Sequence, residues 1–136
     1  MSSIASLEGV NFSIENIHIE RKRLEENGWK IEQPFPNHKE IMITGQLRTG
    51  ELGKSVEHML GYYYVQEISS MLPILALQPK PGEILLDLCA SPGSKTTQAS
   101  AMMENSGTII ANDKDVGRIK ILASNTERCG CTNIIM

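Results

Sequence analysis

Residues 82–95, GEILLDLCASPGSK, pass from an apolar run through a turn of small residues to a lysine. A near-continuous apolar run is typical of a strand in a parallel sheet that is covered on both faces. The small residues from Ala90 to Ser94 predict a tight turn in which a ligand can approach the backbone. The following KTTQASAMMEN (95–105) predicts a helix. This part of the chain therefore predicts a strand, a ligand-binding turn and a helix in succession.

The same alternation continues through the residues that follow. GTIIANDK (107–114) predicts a second strand, VGRIKILASNTERCG (116–130) a second helix and TNIIM (132–136) a third strand. Strands that alternate with helices through short links form parallel sheets with right-handed crossovers. We therefore expect an α/β fold built on a parallel sheet.

The first part of the sequence predicts a smaller α/β unit. Residues 1–12 show no strong hydrophobic period and are expected to be loose, whereas Ser13 to Asn27 predict a helix. Two short strands are predicted at WKIEQ (29–33) and EIMIT (40–44). The glycine-rich, polar GQLRTGELGKS (45–55) predicts a loop or linker.

A domain boundary is predicted after this linker. GYYYVQEISSMLPILALQP (61–79) begins with an aromatic run and is expected to become helical from about Ser69, so that Pro73 lies near the first turn. We therefore expect an N-terminal α/β module with its linker over residues 1–55 and a second domain over residues 56–136.

Composition narrows the class of protein. The chain has 136 residues, of which 40% are hydrophobic and 21% charged, and a net charge of −3 that indicates no basic nucleic-acid footprint. Met1 is followed by polar residues, and the longest apolar run, MLPILAL (71–77), is too short to cross a bilayer. We therefore expect a cytoplasmic protein without a membrane partner. Its three cysteines lack CxxC spacing and predict neither disulfides nor a metal site.

Three kinds of ligand cradle compete for the turn. A phosphate-binding P-loop needs glycines where this chain has Cys89 and Ser94, and a dinucleotide fingerprint needs three glycines where only Gly93 is present. A nucleoside without a pyrophosphate needs less: an acid that ends the first strand, a tight turn, and a second acid for both ribose hydroxyls. Asp87 and Asp113 fit these positions, although a turn or N-cap role would suffice for Asp113 alone. The pairing of turn and acid predicts a site for S-adenosylmethionine.

Four stretches resemble the Sun family of RNA cytosine-5 methyltransferases, over about residues 13–136. DLCASPGSKTTQ is similar to the family's first motif, usually D-L/M-C-A-A-P-G-G-K-T, from which Ser91 and Ser94 depart as small residues that keep the turn. The other three are GYYYVQEISSMLPILAL, which resembles the lead-in to that motif, GTIIANDKDVGRIKIL, which resembles the second motif, and LEENGWKIEQPFPN, which more weakly resembles the small RNA-side domain.

The resemblance implies a fold, a cofactor and a substrate. The fold is a partial Rossmann-like methyltransferase sheet with parallel strands in the order 3-2-1, preceded by the small α/β module. The cofactor is S-adenosylmethionine, and the substrate is RNA, either tRNA or rRNA. By position in the motifs, the cofactor-binding residues are Cys89, Ala90, Ser91, Pro92, Gly93, Ser94, Lys95, Asp113 and Arg118.

The resemblance also bears on which cysteine reacts. Cytosine C5 becomes nucleophilic only after a thiolate has added to C6, and the family supplies that thiolate from a proline-cysteine motif after a fourth strand. This sequence has no Pro-Cys dipeptide. Cys89 lies on the cofactor turn, whereas Cys129 and Cys131 lie at a helix end and turn, where packing is the more common role. We therefore expect no catalytic residue in this chain and no activity from the chain alone.

Two other functions stay open at this point. The chain is expected to belong to an RNA methyltransferase, but it could instead be a non-catalytic cofactor- or RNA-binding fragment or one half of a split enzyme. A methyltransferase of another substrate class fits the first motif less well. A complementary C-terminal polypeptide, or self-association through an exposed sheet edge, is the partner that these readings predict besides RNA.

Overall fold

A computed structural model describes residues 8–12, 22, 25–26, 30–32, 37, 41–45 and 52–136. The chain divides into two compact units, Met1–Ser69 and Ser70–Met136. Each unit contains one of the two sheets that these residues form. The division of the chain at residue 55 stays a prediction.

The first unit contains an antiparallel sheet of four strands in the order β2-β3-β1-β4. A 3-10 turn at Leu52–Lys54 and a one-turn helix, α1 (Val56–Met59), precede the last strand. Ser55 caps that helix, because its hydroxyl accepts a hydrogen bond from the His58 N–H at 3.0 Å. The strands are β1 (Glu8–Phe12), β2 (Lys30–Glu32), β3 (Ile41–Gly45) and β4 (Tyr63–Glu67).

One expectation for this unit is wrong. Residues 8–12, expected to be loose, form strand β1, which pairs with β3 on one side and with β4 on the other. The short run EGVNF has no alternation that a sequence pattern could detect, so its strand state comes from pairing with distant segments.

The predicted strands at 29–33 and 40–44 are present as β2 and β3. A helix is predicted from Ser13 to Asn27. Its described residues, Lys22, Glu25 and Glu26, are helical, and its other residues lie outside the described part of the chain.

The second unit contains a parallel sheet of three strands in the order β5-β6-β7. This order confirms the predicted arrangement 3-2-1 and the Rossmann-like fold class. The strands are β5 (Ile84–Asp87), β6 (Thr108–Ala111) and β7 (Ile134–Ile135), and the helices are α2 (Ile68–Leu77), α3 (Ser94–Met102) and α4 (Val116–Arg128).

Three helices cover one face of this sheet. Ile109 of β6 is fully buried against residues of α2 and α3, and Ala111 two residues later packs with Leu122 of α4. Residues two apart on a strand point to the same face, so all three helices lie on that face.

Pro73 lies in the second turn of α2 rather than the first. The Ser69 carbonyl, which loses its helical partner there, belongs to an exposed residue and can reach water.

The opposite face of the sheet is open, whereas an apolar run of this kind is typical of a sheet with two covered faces. Its apolar side chains alternate with the buried ones along each strand, which is why the β5 run contains apolar residues at every position before Asp87. We call this surface the open sheet face; its members and their exposed fractions are Ile84 77%, Leu86 57%, Ile110 42% and Ile135 59%. Strand β5 pairs only with β6 among the described residues and is therefore an edge of the sheet. No helix among the described residues could span a membrane.

Candidate functional site

The first acid of the predicted site is part of the turn itself. Asp87 ends β5, and one carboxylate oxygen accepts a hydrogen bond from the backbone N–H of Cys89 at 3.2 Å. The other oxygen accepts from the hydroxyl of Thr96, in the first turn of α3, at 2.8 Å. Asp87 therefore fixes the turn between the strand and the helix.

The ends of β5 and β6 stay joined beyond the two strands. The Asn112 N–H donates to the Asp87 carbonyl at 2.8 Å, and the Ala90 N–H donates to the Asn112 carbonyl at 2.9 Å. The Asn112 side chain also donates to the Leu88 carbonyl at 3.2 Å. The turn therefore leaves the sheet along a fixed path, at the carboxyl ends of the strands where open α/β sheets bind ligands.

Gly93 permits the close approach of the turn to α4. Its φ of +111° lies in the region that favours glycine, and a Cβ at this position would lie 3.1 Å from the Leu122 side chain. Gly93 is also the residue that precedes α3 and, having no side chain, it cannot cap the first turn of that helix. The N–H groups of a helix's first turn have no partner within the helix. This end of α3 therefore presents backbone donors next to the turn.

Helix α4 holds the carbonyl groups of the turn. The Arg118 guanidinium donates to the Ser91 carbonyl at 2.7 Å, and the Ser91 hydroxyl donates back to the Arg118 carbonyl at 2.8 Å. The Asn125 side chain donates to the Pro92 carbonyl at 2.8 Å. The carbonyl groups of Ser91 and Pro92 are therefore engaged by side chains of α4.

The second acid, Asp113, lies two residues beyond β6 and is held by its neighbours. One oxygen accepts from the Asp115 N–H at 3.2 Å and the other from the Arg118 Nε at 3.2 Å, and 6% of the side chain is exposed. Desolvation by burial raises the pKa of Asp113, but the backbone hydrogen bond from Asp115, the charge and hydrogen bond of Arg118, and a backbone hydrogen bond from Ser91 outweigh it. The pKa of Asp113 therefore lies below its ordinary value, and the carboxylate is ionised at neutral pH.

The structure brings most of the predicted site residues together at one edge of the sheet. The turn Cys89–Lys95, Asp113 and Arg118 are linked by the hydrogen bonds above, and Cys89 is exposed. Lys95 points its ammonium group to the hydroxyl of Ser70, at 3.1 Å. Pattern reasoning missed the polar residues that hold the turn in place, although their short side chains beside a strand end are a recognisable signal; they are Thr96, Asn112, Asp115 and Asn125.

The two later cysteines are poor nucleophiles. Burial raises the pKa of Cys129 to about 11, an effect that the nearby Arg128 opposes and Cys131 reinforces. Burial also raises the pKa of Cys131, against a hydrogen bond from Ser100. Because the reactive form of a cysteine is the thiolate, both side chains are inert thiols at neutral pH. The described residues contain no group of side chains that could hold a metal ion.

Alkylation tests whether Cys129 and Cys131 react more slowly than Cys89. Near pH 8, a thiol with a pKa of about 11 is ionised in about one molecule in a thousand. We expect iodoacetamide to modify exposed Cys89 first and Cys129 and Cys131 much more slowly, as measured by mass spectrometry of peptides. In concentrated urea the three thiols should react at similar rates, which is the control. Equal rates in the folded chain would contradict the burial of the two later thiols.

Comparisons with known proteins agree with the fold. Residues 74–136 match the family model described as 16S rRNA methyltransferase RsmB/F. The ribosomal RNA small subunit methyltransferase F of Aliivibrio salmonicida is 40% identical over 119 residues, 85% of this chain and 25% of the relative. The protein of the same description from Vibrio parahaemolyticus is 42% identical over 115 residues, 82% of this chain and 24% of the relative. The chain thus spans about a quarter of these relatives.

Solved structures show the same fold. A methyltransferase homologue from Pyrococcus horikoshii superposes with a TM-score of 0.84 at 33% identity, over 94% of this chain and 42% of that one. NSun6 from the same organism superposes with a TM-score of 0.82 over 95% of this chain and 57% of its own, and at 16% identity it supports the fold alone. The resemblance that the motifs predict is confirmed, and the chain belongs to the Sun family of RNA methyltransferases.

Proposed function

We propose that the turn and the two strand ends bind S-adenosylmethionine. The observation that carries this proposal is the combination of a one-glycine turn with an ionised acid at the end of the neighbouring strand. The turn lacks the glycines of a pyrophosphate cradle, whereas Asp113 offers a carboxylate to ribose hydroxyls. The family model that residues 74–136 match is described as a methyltransferase, and a methyltransferase needs a methyl donor, which adds support.

Different residues of this chain would bind different parts of the cofactor. Backbone donors at the start of α3 suit an anionic group, such as the carboxylate of the methionine part. An ionised carboxylate has about four acceptor positions. Three donors occupy positions on Asp113, so at least one position remains for a ribose hydroxyl. Lys95, released from Ser70, could reach the ligand from the start of α3. When bound, S-adenosylmethionine supplies a methyl group activated by its positively charged sulfur.

Calorimetry with two matched variants tests the ligand. We expect S-adenosylmethionine and S-adenosylhomocysteine to bind in preference to NAD and ATP. Asp113→Asn should weaken that binding about tenfold or more, the scale of a lost hydrogen bond to a charged group.

Glu127→Gln is the control for this test. It removes an exposed carboxylate near the other end of α4, so binding should change little. Tighter binding of NAD, or equal losses in the two variants, would contradict the assignment of the ligand.

For the reaction, we propose methyl transfer to C5 of a cytosine in RNA, with rRNA favoured over tRNA by the names of the relatives. The contribution of this chain is to bind and orient the cofactor. None of its cysteines suits the covalent step at C6: Cys89 lies on the cofactor turn, and the pKa values of Cys129 and Cys131 are raised by burial. The cytoplasm is the proposed location, as for other enzymes that act on ribosomal RNA.

The second candidate is a module that binds cofactor or RNA without chemistry. The open sheet face and the edge strand β5 favour it, because they suit a complementary polypeptide or a second copy of the chain. Methyl transfer to unmodified small-subunit rRNA distinguishes the candidates. The chain alone is expected to be inactive, and a chimera that carries these residues in place of the matching quarter of the Aliivibrio salmonicida relative should be active if the first candidate holds.

A further inference from the structure

Arg118 connects the two halves of the proposed site. Its Nε donates to Asp113 at 3.2 Å, and its Nη2 donates to the carbonyl of Ser91 at 2.7 Å. The first contact is to the acid beyond β6 and the second is to the turn that follows β5. Both partners are protein groups, so these two donors do not face a ligand.

Further hydrogen bonds fix Arg118 from its backbone. The Ser91 hydroxyl, on a residue that is 6% exposed, donates to the Arg118 carbonyl at 2.8 Å. The Arg118 N–H donates to the carboxylate of Asp115 at 3.0 Å, and the Asp115 N–H donates to Asp113 at 3.2 Å. Arg118, Asp115 and Asp113 therefore form a closed ring of contacts. Ser91 joins this ring through Arg118 and through a backbone hydrogen bond to Asp113.

The contribution of Arg118 is geometric. Its side chain is 53% exposed, and an ion pair with that much solvent contact adds little to stability. A guanidinium, however, is a rigid planar fork that reaches two acceptors at fixed angles, whereas the ammonium of lysine is a single compact charge. The bridge from Asp113 to Ser91 uses that fork.

We propose that Arg118 is a positioning residue, which orients the Asp113 carboxylate against the turn for the ribose of the ligand, rather than a direct ligand of the cofactor. This inference rests on the proposed function. It assigns Arg118 a different task from the cofactor-binding role that the family resemblance implies. The hydroxyl of Ser91, where the family pattern has alanine, strengthens the same bridge.

The test compares two ligands in the full chain. S-adenosylhomocysteine carries both ribose hydroxyls, and its 2′,3′-dideoxy analogue carries neither. Arg118→Lys keeps the charge and loses the fork, so it should weaken binding of S-adenosylhomocysteine about tenfold and leave that of the analogue within about twofold. Arg128→Lys, at the other end of α4, should leave both affinities unchanged.

Two further variants make the outcome specific. Ser91→Ala removes only the hydroxyl of the bridge and should give a smaller loss, again confined to the ligand with hydroxyls. In an Asp113→Asn background, Arg118→Lys should have no additional effect, because the carboxylate that it orients is gone. Ser91→Ala carries the test if Arg118→Lys lowers the melting temperature too far for binding to be measured.

Two results would overturn the inference about Arg118, and a third would refute the proposed function. Equal losses for the two ligands would overturn the inference and leave Arg118 a support of the fold. Tighter binding of S-adenosylhomocysteine to Arg118→Lys would also overturn it, since Arg118 would then cover the carboxylate. A parent chain that binds neither ligand would instead refute the proposed function, on which the inference rests.

Discussion

Gly107→Ala is expected to destabilise the second unit by about 3–5 kcal/mol, a large part of the stability of an ordinary domain. Gly107 precedes β6 with a φ of +88°, and a Cβ there would overlap the Glu83 carbonyl oxygen and lie 2.9 Å from the Glu83 nitrogen. Both are backbone atoms that cannot rotate away. The added methyl group would push β6 from β5 and break the 3.0 Å hydrogen bond from the Thr108 N–H to the Glu83 carbonyl.

Gly82→Ala is a matched control for that change. Gly82 has the same φ of +88°, but a Cβ there would have no neighbour within 4 Å. Its cost should be that of the backbone conformation alone, about 1–2 kcal/mol. Urea unfolding of both variants, followed by circular dichroism, measures the difference. Equal losses of unfolding free energy would show that the overlap with Glu83 is relieved by a small shift.

Association of the 136-residue chain in solution is the second large effect that we expect. The open sheet face exposes apolar side chains such as Leu86, which is 57% exposed in the middle of β5. Contiguous apolar surface of this kind, beside an unpaired strand edge, promotes contact with other molecules. Leu86→Lys places a charge at the centre of the face and should shift the chain toward monomer in sedimentation velocity runs. Its unfolding free energy should stay within about 0.5 kcal/mol of the parent chain.

Leu85→Lys is the control one residue earlier. Leu85 points to the other face of the sheet and packs against the cluster around Ile109. Leu85 is partly buried, so a lysine there would desolvate an unpaired charge and should cost more stability than Leu86→Lys, without relieving association selectively. A parent chain that sediments as a monomer at micromolar concentration would contradict the prediction for the open sheet face.

The sequence predicts the second unit better than the first for a physical reason. In the second unit each strand is joined to the next by one helix, so the pattern of apolar residues and turns along the chain carries the fold. The strand β1 has no such signal, because it is held by pairing with β3 and β4, which are far away in the sequence. The apolar run of β5 does not by itself tell whether the sheet face is covered, because an apolar strand has the same sequence whether or not something packs on it.

The candidate site is also only partly predictable from the sequence. The turn, Asp113 and Arg118 are predictable, because motif spacing places them at the ends of neighbouring strands. The direction in which a side chain points is not encoded in spacing. Arg118 binds the Ser91 carbonyl and Lys95 binds the Ser70 hydroxyl, and both contacts depend on how helices pack beside the turn.

The place of β1 in its sheet has a consequence for the order in which the chain is made and folded. Val10, near the beginning of the chain, pairs with Val65 of β4, so the first sheet cannot close on that side until the ribosome has synthesised Tyr63–Glu67. Pairing between distant segments is also slow, because a long loop must close before any contact forms. Leu86 and Ile110 of the second sheet are separated by only one helix, which favours rapid folding. The first unit is therefore expected to stay open until β4 has been synthesised, and it can begin to close while the second unit is still being made.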